Sequence, residues 1–290
     1  MMKQFVDHFP WPLGRELLRL MRVDRPIGTW LLLWPSLWGL TAASAGRPDL
    51  KLVGIFAFGT FLMRSAGCVA NDLADRNFDP LVERTRDRPL AAGRVTPGVA
   101  RRLLFVLLGL AFLLVLFLQP LVIQLSLVGA FLAVSYPFTK RFIQLPQFYM
   151  GAAFGWGAVM AWAAVADGVP WAAWMLFAAT LTWAAGYDTI YALMDIEDDL
   201  KIGVKSTAIL FGRYVLLAVA VLYVATVLIL GGVGHALGLN GFFYLFLSIA
   251  SLHMAWQLFR IRRGGREVLL AVFLSNKWTG LWILFAFALR

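Results

Sequence analysis

The feature that constrains this chain most is that it is apolar almost throughout, yet interrupted at regular intervals. From Ile27 onward nine apolar segments, near 27–45, 50–72, 102–118, 121–138, 147–165, 171–194, 209–230, 240–259 and 268–289, alternate with short stretches of Gly, Pro and charge. An α-helix needs about 20 such residues to cross a hydrocarbon core, and a helix satisfies its own backbone there. The expectation is therefore an all-α, polytopic membrane protein with nine transmembrane helices in a bundle. Only 14% of the 290 residues are charged and 61% are hydrophobic, which excludes a water-soluble core and leaves no room for a second, soluble domain. The single cysteine, Cys68, excludes an intramolecular disulfide, and three scattered histidines argue against a zinc site.

Residues 1–26 are too charged, and too short of a continuous apolar run, to be a cleaved signal peptide. Arg15, Leu17, Leu18, Leu20 and Met21 predict a short amphipathic helix on the membrane surface instead, with Arg19 and Arg22 turned to lipid headgroups. Alternating the sides of the nine segments gathers 21 of the 26 Lys and Arg residues on one face. By the positive-inside rule that face is cytoplasmic, with the N-terminus and long loops inside and the C-terminus outside. The net charge of +10 then follows from topology and anionic lipid, so nucleic acid is not needed as a partner.

The acids obey a different logic. Ten of 16 fall in two clusters, Asp72, Asp75, Asp79, Glu83 and Asp87 after the second segment, and Asp188, Asp195, Glu197, Asp198 and Asp199 ending the sixth. Asp75 and Asp195, like Asp79 and Asp199, are 120 residues apart with four helices between them. That spacing suggests a single domain built from two parallel four-helix pseudo-repeats, about 27–138 and 147–259, with a ninth helix at 268–289 appended. On a continuous helix Asn71, Asp75 and Asp79 would stack along one face, and Asp195 and Asp199 repeat the spacing with Tyr191 and Asp188 one and two turns earlier. Stacked acceptors repel unless a cation intervenes. Two facing columns of oxygen ligands would favour Mg²⁺, and intramembrane acids are costly enough to be mostly functional.

Bases crowd the same mouths: Arg84, Arg86 and Arg88 follow the first cluster, Lys140 and Arg141 close the fourth segment, and Lys201 and Lys205 follow the second cluster. Metal together with Arg and Lys is how proteins hold diphosphate. Topology alone explains most of these bases, with Arg88 and Lys140 the exceptions. No Walker A or Gly-x-Gly-x-x-Gly pattern appears, which disfavours nucleotide hydrolysis.

N-D-L-A-D-R-N-F-D (71–79), E-R-T-R-D-R-P-L-A-A-G (83–93), Y-P-F-T-K-R (136–141) and Y-D-T-I-Y-A-L-M-D-I-E-D-D-L-K-I-G-V-K-S-T-A-I-L-F-G (187–212), in this order, closely resemble the UbiA-type intramembrane prenyltransferases. Within that family the match is nearest the branch that prenylates 4-hydroxybenzoate in ubiquinone biosynthesis. The resemblance implies a nine-helix bundle with an isoprenoid-synthase-like central cavity in an inner membrane. It implies that Asn71, Asp75, Asp79, Asp195 and Asp199 hold Mg²⁺ and diphosphate, and that Arg88, Tyr136, Lys140 and Arg141 contact the phosphate side. The polyprenyl diphosphate would ionise and its allylic cation attack the ring carbon ortho to the phenol. An acceptor with a carboxylate calls for a buried cation, and Arg64, seven residues before Asn71 and so on the same face two turns deeper, is the candidate. Asp188, with Tyr191 beside it, is then placed to pair with Arg64, orient the phenol or accept its proton. Two rivals stand beside this reading: a prenyltransferase with another aromatic acceptor, and a secondary transporter, disfavoured because the outer connections offer only Asp49 and Asp167. No obligatory protein partner is implied.

Overall fold

A computed structural model describes residues 2–81, 85–262 and 264–289, with side chains for all of them except Leu81, Lys140, Arg141 and Ile202. Among the described residues the chain is helical with no strand. Two short helices, α1 (Met2–Asp7) and α2 (Pro12–Leu20), lead into α3 (Ile27–Ala43), α4 (Leu50–Asp75), α5 (Pro97–Val115), α6 (Pro120–Phe142), α7 (Pro146–Ala166) and α8 (Trp171–Ala192). The short α9 (Ile196–Ile202) and α10 (Thr207–Phe211) then precede α11 (Val215–Ala236), α12 (Gly241–Ile261) and α13 (Arg266–Ala288).

Nine of these are the long helices that the apolar segments predicted, and seven of them are long and apolar enough to cross a membrane. The two outside that measure are α3, only 17 residues long, and α8, and both lie largely inside the bundle. Two boundaries differ from expectation for local reasons. Helix α5 begins at Pro97, capped by the Thr96 side chain on the Val99 amide, so Arg101 and Arg102 lie within the helix rather than before it. The seventh long helix starts at Val215 because Gly212, at φ 47°, breaks the chain after α10.

The core sits where α3, α7, α8, α11 and α13 meet. Trp38 of α3 packs on Trp183 of α8 with ring centroids 5.1 Å apart. Both indoles are spoken for, Trp38 Nε1 donating to the Gly280 carbonyl at 2.9 Å and Trp183 Nε1 to Asn276 Oδ1 at 3.1 Å. Buried indoles need such acceptors because water cannot supply them. Helix α7 approaches α8 closely at Gly151, where a Cβ would fall 2.7 Å from the Leu181 carbonyl oxygen, as small residues permit between membrane helices. On the outer side, α5 and α6 expose Phe105, Leu113, Val128 and Phe131, an apolar surface suited to lipid.

Three N-terminal arginines meet protein partners. Arg19 pairs with Asp7 at 2.8 Å and Glu16 at 2.7 Å, Arg15 donates to the Phe9 carbonyl at 3.0 Å, and Arg22 reaches Asp72 on α4 at 2.8 Å. Residues 2–26 are thus tied into the bundle as well as presenting Phe5, Trp11 and Leu13 outward.

Candidate active site

Helix α4 runs to Asp75 and stops there. Asn71 Nδ2 donates to Asp75 Oδ2 at 3.2 Å, the i, i+4 contact the spacing called for. Asp79 does not continue that column. The chain leaves the helix after Asp75 and Asp79 opens a 3₁₀ turn, Asp79–Leu81, where its carboxylate meets Arg88 at 2.9 Å. Arg88 also reaches Asp72 at 3.1 Å, and Asp72 accepts from Arg22 through both oxygens at 2.8 Å. Asp72, Asp75 and Asp79 are all buried, Asp72 most completely at 1% exposure. Burial pushes the Asp79 carboxyl above its ordinary value, with Arg88 opposing and the neighbouring Asp72 and Asp75 adding to the rise. Loss of solvation is the largest single effect on Arg22 and lowers its pKa, but the charge and hydrogen bond of Asp72, with Cys68 and Asp24 adding to them, together hold it above the ordinary value.

The second cluster is built the same way and ends differently. Helix α8 stops at Ala192 and a short break places Asp195 at the N-cap position of α9, so Asp199 sits on a new helix rather than on a prolonged α8. The Asp199 amide donates to the Asp195 carbonyl at 2.8 Å, which keeps the two acids one turn apart. Asp195 is buried and has Arg266, half exposed, at 3.7 Å. Lys201 contacts Asp198 at 3.5 Å, and Lys205 donates to the Phe142 carbonyl at 3.1 Å.

One cavity of about 1550 Å³ joins the two corners. Asn71, Asp75, Asp79, Arg88, Tyr136, Asp188, Tyr191, Asp195, Asp199 and Arg64 all line it. The side chains of Lys140 and Arg141, together with Glu83 and Arg84, lie outside the described residues. Among the described residues no three acidic, His or Cys groups stand close enough to hold one metal ion, so the corners share a cavity without closing on an ion by themselves. That arrangement fits Mg²⁺, which keeps waters and is bound through one or two carboxylates plus substrate phosphates rather than in an all-protein cage.

Arg64 of α4 lies across Gly28 of α3, where a Cβ would fall 2.7 Å from its Cζ. Only glycine leaves that space. The Arg64 Nε is buried without a hydrogen-bond partner, and among the described residues no ion pair holds the guanidinium, so the pairing with Asp188 that the spacing allowed is not formed. Tyr136 of α6 is within electrostatic reach of Asp188, Arg64, Asp75 and Tyr191. The Tyr191 ring is seated on Phe273 of α13 at 4.6 Å. Below this polar belt the wall is apolar, with Leu31, Phe56, Leu108, Phe112, Leu127 and Met150 among its residues.

Sequence reasoning named Asp72 only as a member of the first acidic cluster and turned Arg22 to lipid headgroups, so neither was given a part in the site. Asp72 is adjacent to Asn71, on another face of α4, and its partner Arg22 is 50 residues away. The visible signal was the M-R-V-D-R-P run before α3, whose Arg22 takes the left-handed conformation, φ 59°.

The UbiA prenyltransferase family pattern matches residues 32–278. A 4-hydroxybenzoate octaprenyltransferase of Methylococcus capsulatus is 53% identical over 262 residues, covering 90% of each chain. Another, of Dechloromonas aromatica, is 51% identical over 278 residues and covers 94% of each. Among solved structures, a UbiA homologue from Aeropyrum pernix K1 superposes with a TM-score of 0.77 at 26% identity, over 87% of this chain and 94% of that one. A homologue from Archaeoglobus fulgidus bound to GPP and Mg²⁺ shares the fold, with a TM-score of 0.73 at 19% identity over 94% and 98% of the two chains. With its helical bundle, its acid-lined cavity and these relatives together, the chain belongs to the UbiA prenyltransferase family.

Proposed function

We propose that this protein transfers a polyprenyl group from polyprenyl diphosphate to the ring carbon ortho to the hydroxyl of 4-hydroxybenzoate, using Mg²⁺. The observation that carries this reading is the single cavity that brings both acidic corners and the unpaired Arg64 together over an apolar wall, in a chain half identical to 4-hydroxybenzoate octaprenyltransferases.

In this reading Asn71, Asp75 and Asp79 from one corner and Asp195 and Asp199 from the other hold the metal-bound diphosphate. Mg²⁺, when bound, offsets the negative charge that builds on the diphosphate as the allylic C–O bond breaks. Arg88, with Tyr136, Lys140 and Arg141, contacts the phosphate oxygens. Arg64 takes the acceptor carboxylate, which supplies the counter-charge its guanidinium lacks. A carbon–carbon bond then forms at the ring, and Asp188 accepts the proton that leaves, with Tyr191 beside it. The apolar wall keeps water from trapping the allylic cation. The asymmetry of the bases orients the domain in a bacterial inner membrane with its N-terminus and acid-bearing loops cytoplasmic and its C-terminus outside. The 120-residue echo of the two corners fits a duplicated four-helix unit with α13 appended, and the chemistry needs no protein partner.

The test is direct. Purified protein given Mg²⁺, octaprenyl diphosphate and a panel of aromatic acceptors should prenylate 4-hydroxybenzoate and stop when the metal is chelated. Prenylation of homogentisate or a dihydroxynaphthoate alone would move the acceptor. No prenylation of any aromatic acid, alongside ion flux in liposomes, would overturn the enzyme reading.

A further inference from the structure

Two described side chains of the long helices reach the cavity wall with a buried polar atom that has no hydrogen-bond partner. One is Arg64, through Nε; the other is Tyr187, through its hydroxyl. Tyr187 is 1% exposed, on α8 directly before Asp188. Its ring is fixed edge-on against Trp183 at 5.0 Å and Phe273 at 5.9 Å, so the hydroxyl cannot swing elsewhere to find an acceptor. Nearby Tyr223 shows what this part of the bundle does with a phenol that has no ligand to serve, since its hydroxyl donates to Gln257 Oε1 at 2.8 Å. A buried hydroxyl left without a partner is costly, and on a residue that lines a cavity it is matched to something that enters there.

We propose that the Tyr187 hydroxyl hydrogen-bonds the phenolic oxygen of the acceptor while Arg64 holds its carboxylate. The inference rests on the acceptor reading above and assigns a second anchor that reading lacks. Chemistry divides the two groups naturally. A carboxylate is best met by a guanidinium, whereas a neutral phenol is best met by a neutral hydroxyl that can donate or accept. Tyr187 lies within electrostatic reach of Arg64, although the two come from separate helices. An aromatic ring held at one end can tumble; held at both ends of its para axis, its remaining freedom is rotation about that axis, which keeps the carbons ortho to the phenol at a fixed depth in the cavity. Tyr187 would then set the position of prenylation as well as affinity.

Titration of the full-length protein, with Mg²⁺ and a non-ionising thiolo analogue of geranyl diphosphate present, separates the possibilities using 4-hydroxybenzoate and benzoate, which lacks the phenol. Tyr187→Phe should bind 4-hydroxybenzoate about tenfold more weakly and benzoate unchanged. Arg64→Ala should weaken both. The melting temperature of unliganded Tyr187→Phe should not fall, because the oxygen removed has no protein partner to lose. Equal weakening of both ligands by Tyr187→Phe, or of neither, would overturn the assignment. A wild-type protein that ignores 4-hydroxybenzoate would instead sink the acceptor reading, and this inference with it.

Discussion

The two acidic corners share a plan and differ in how they are restrained. In each, a long helix stops just short of or among its acids and hands the remainder to a turn or a short helix. At the end of α4 the acids are buried, and two arginines from other parts of the chain grip Asp72, with Arg88 bridging to Asp79. At the end of α8 Asp195 is buried, and Arg266, half exposed, lies 3.7 Å away. The same carboxylate chemistry is therefore met at one corner by two largely buried arginines at close range and at the other by a half-exposed arginine at longer range.

The comparison can be broken at several points. If both corners hold one metal-bound diphosphate, Asp75→Asn and Asp195→Asn should each lower kcat by about 10²–10³, the usual cost of removing one electrostatic contact to a developing charge. A large loss at one and none at the other, in a steady-state assay, would show that a single corner suffices. Next in size is the stability of the clamp. Asp72→Ala strips the shared carboxylate from Arg22 and Arg88 and should cost about 3 kcal/mol in chemical denaturation, as broken buried pairs do. A loss within 0.5 kcal/mol, the ordinary scatter for surface substitutions, would mean that the two arginines on Asp72 do not stabilise the first corner.

Asp79 gives a pH test of the same corner in Mg²⁺-free buffer. Its carboxyl sits above the ordinary value of 3.8, so the folded chain holds this proton more tightly than the unfolded one. The stability this contributes is fully present below the ordinary value and is lost as pH rises through the raised one. Asp79→Asn should therefore raise the melting temperature at neutral pH and leave it unchanged in acid; a lower melting temperature at neutral pH would show that the Arg88 contact outweighs burial. The smallest effect belongs to Arg266→Ala, expected at under about 0.5 kcal/mol because its pair is long and solvent-screened. An effect equal to that of Asp72→Ala would erase the distinction between the corners.

Helix order and membrane character were legible because they rest on runs of apolar residues, and the long helices lie within a few residues of the segments read from them. Contacts within one turn of one helix were legible too, as with Asn71 and Asp75. What failed was extrapolation through a helix end. Asp79 and Asp199 keep their spacing along the chain, but the helix breaks after Asp75 and again after Ala192, and periodicity carries no information past a break. Arg22 was misread for a different reason, since a basic residue beside an amphipathic helix has the same local pattern whether it meets lipid or an acid 50 residues away. The unpartnered Tyr187 hydroxyl is a property of packing, and a tyrosine within a motif does not announce it.

The claim that both corners serve one ligand is tested most directly by calorimetric binding of the thiolo analogue of geranyl diphosphate, with and without Mg²⁺, to the wild-type protein, Asp75→Asn and Asp195→Asn. The account predicts metal-dependent binding to the wild type and its loss in either variant. Full metal-dependent binding retained by one of them would contradict it.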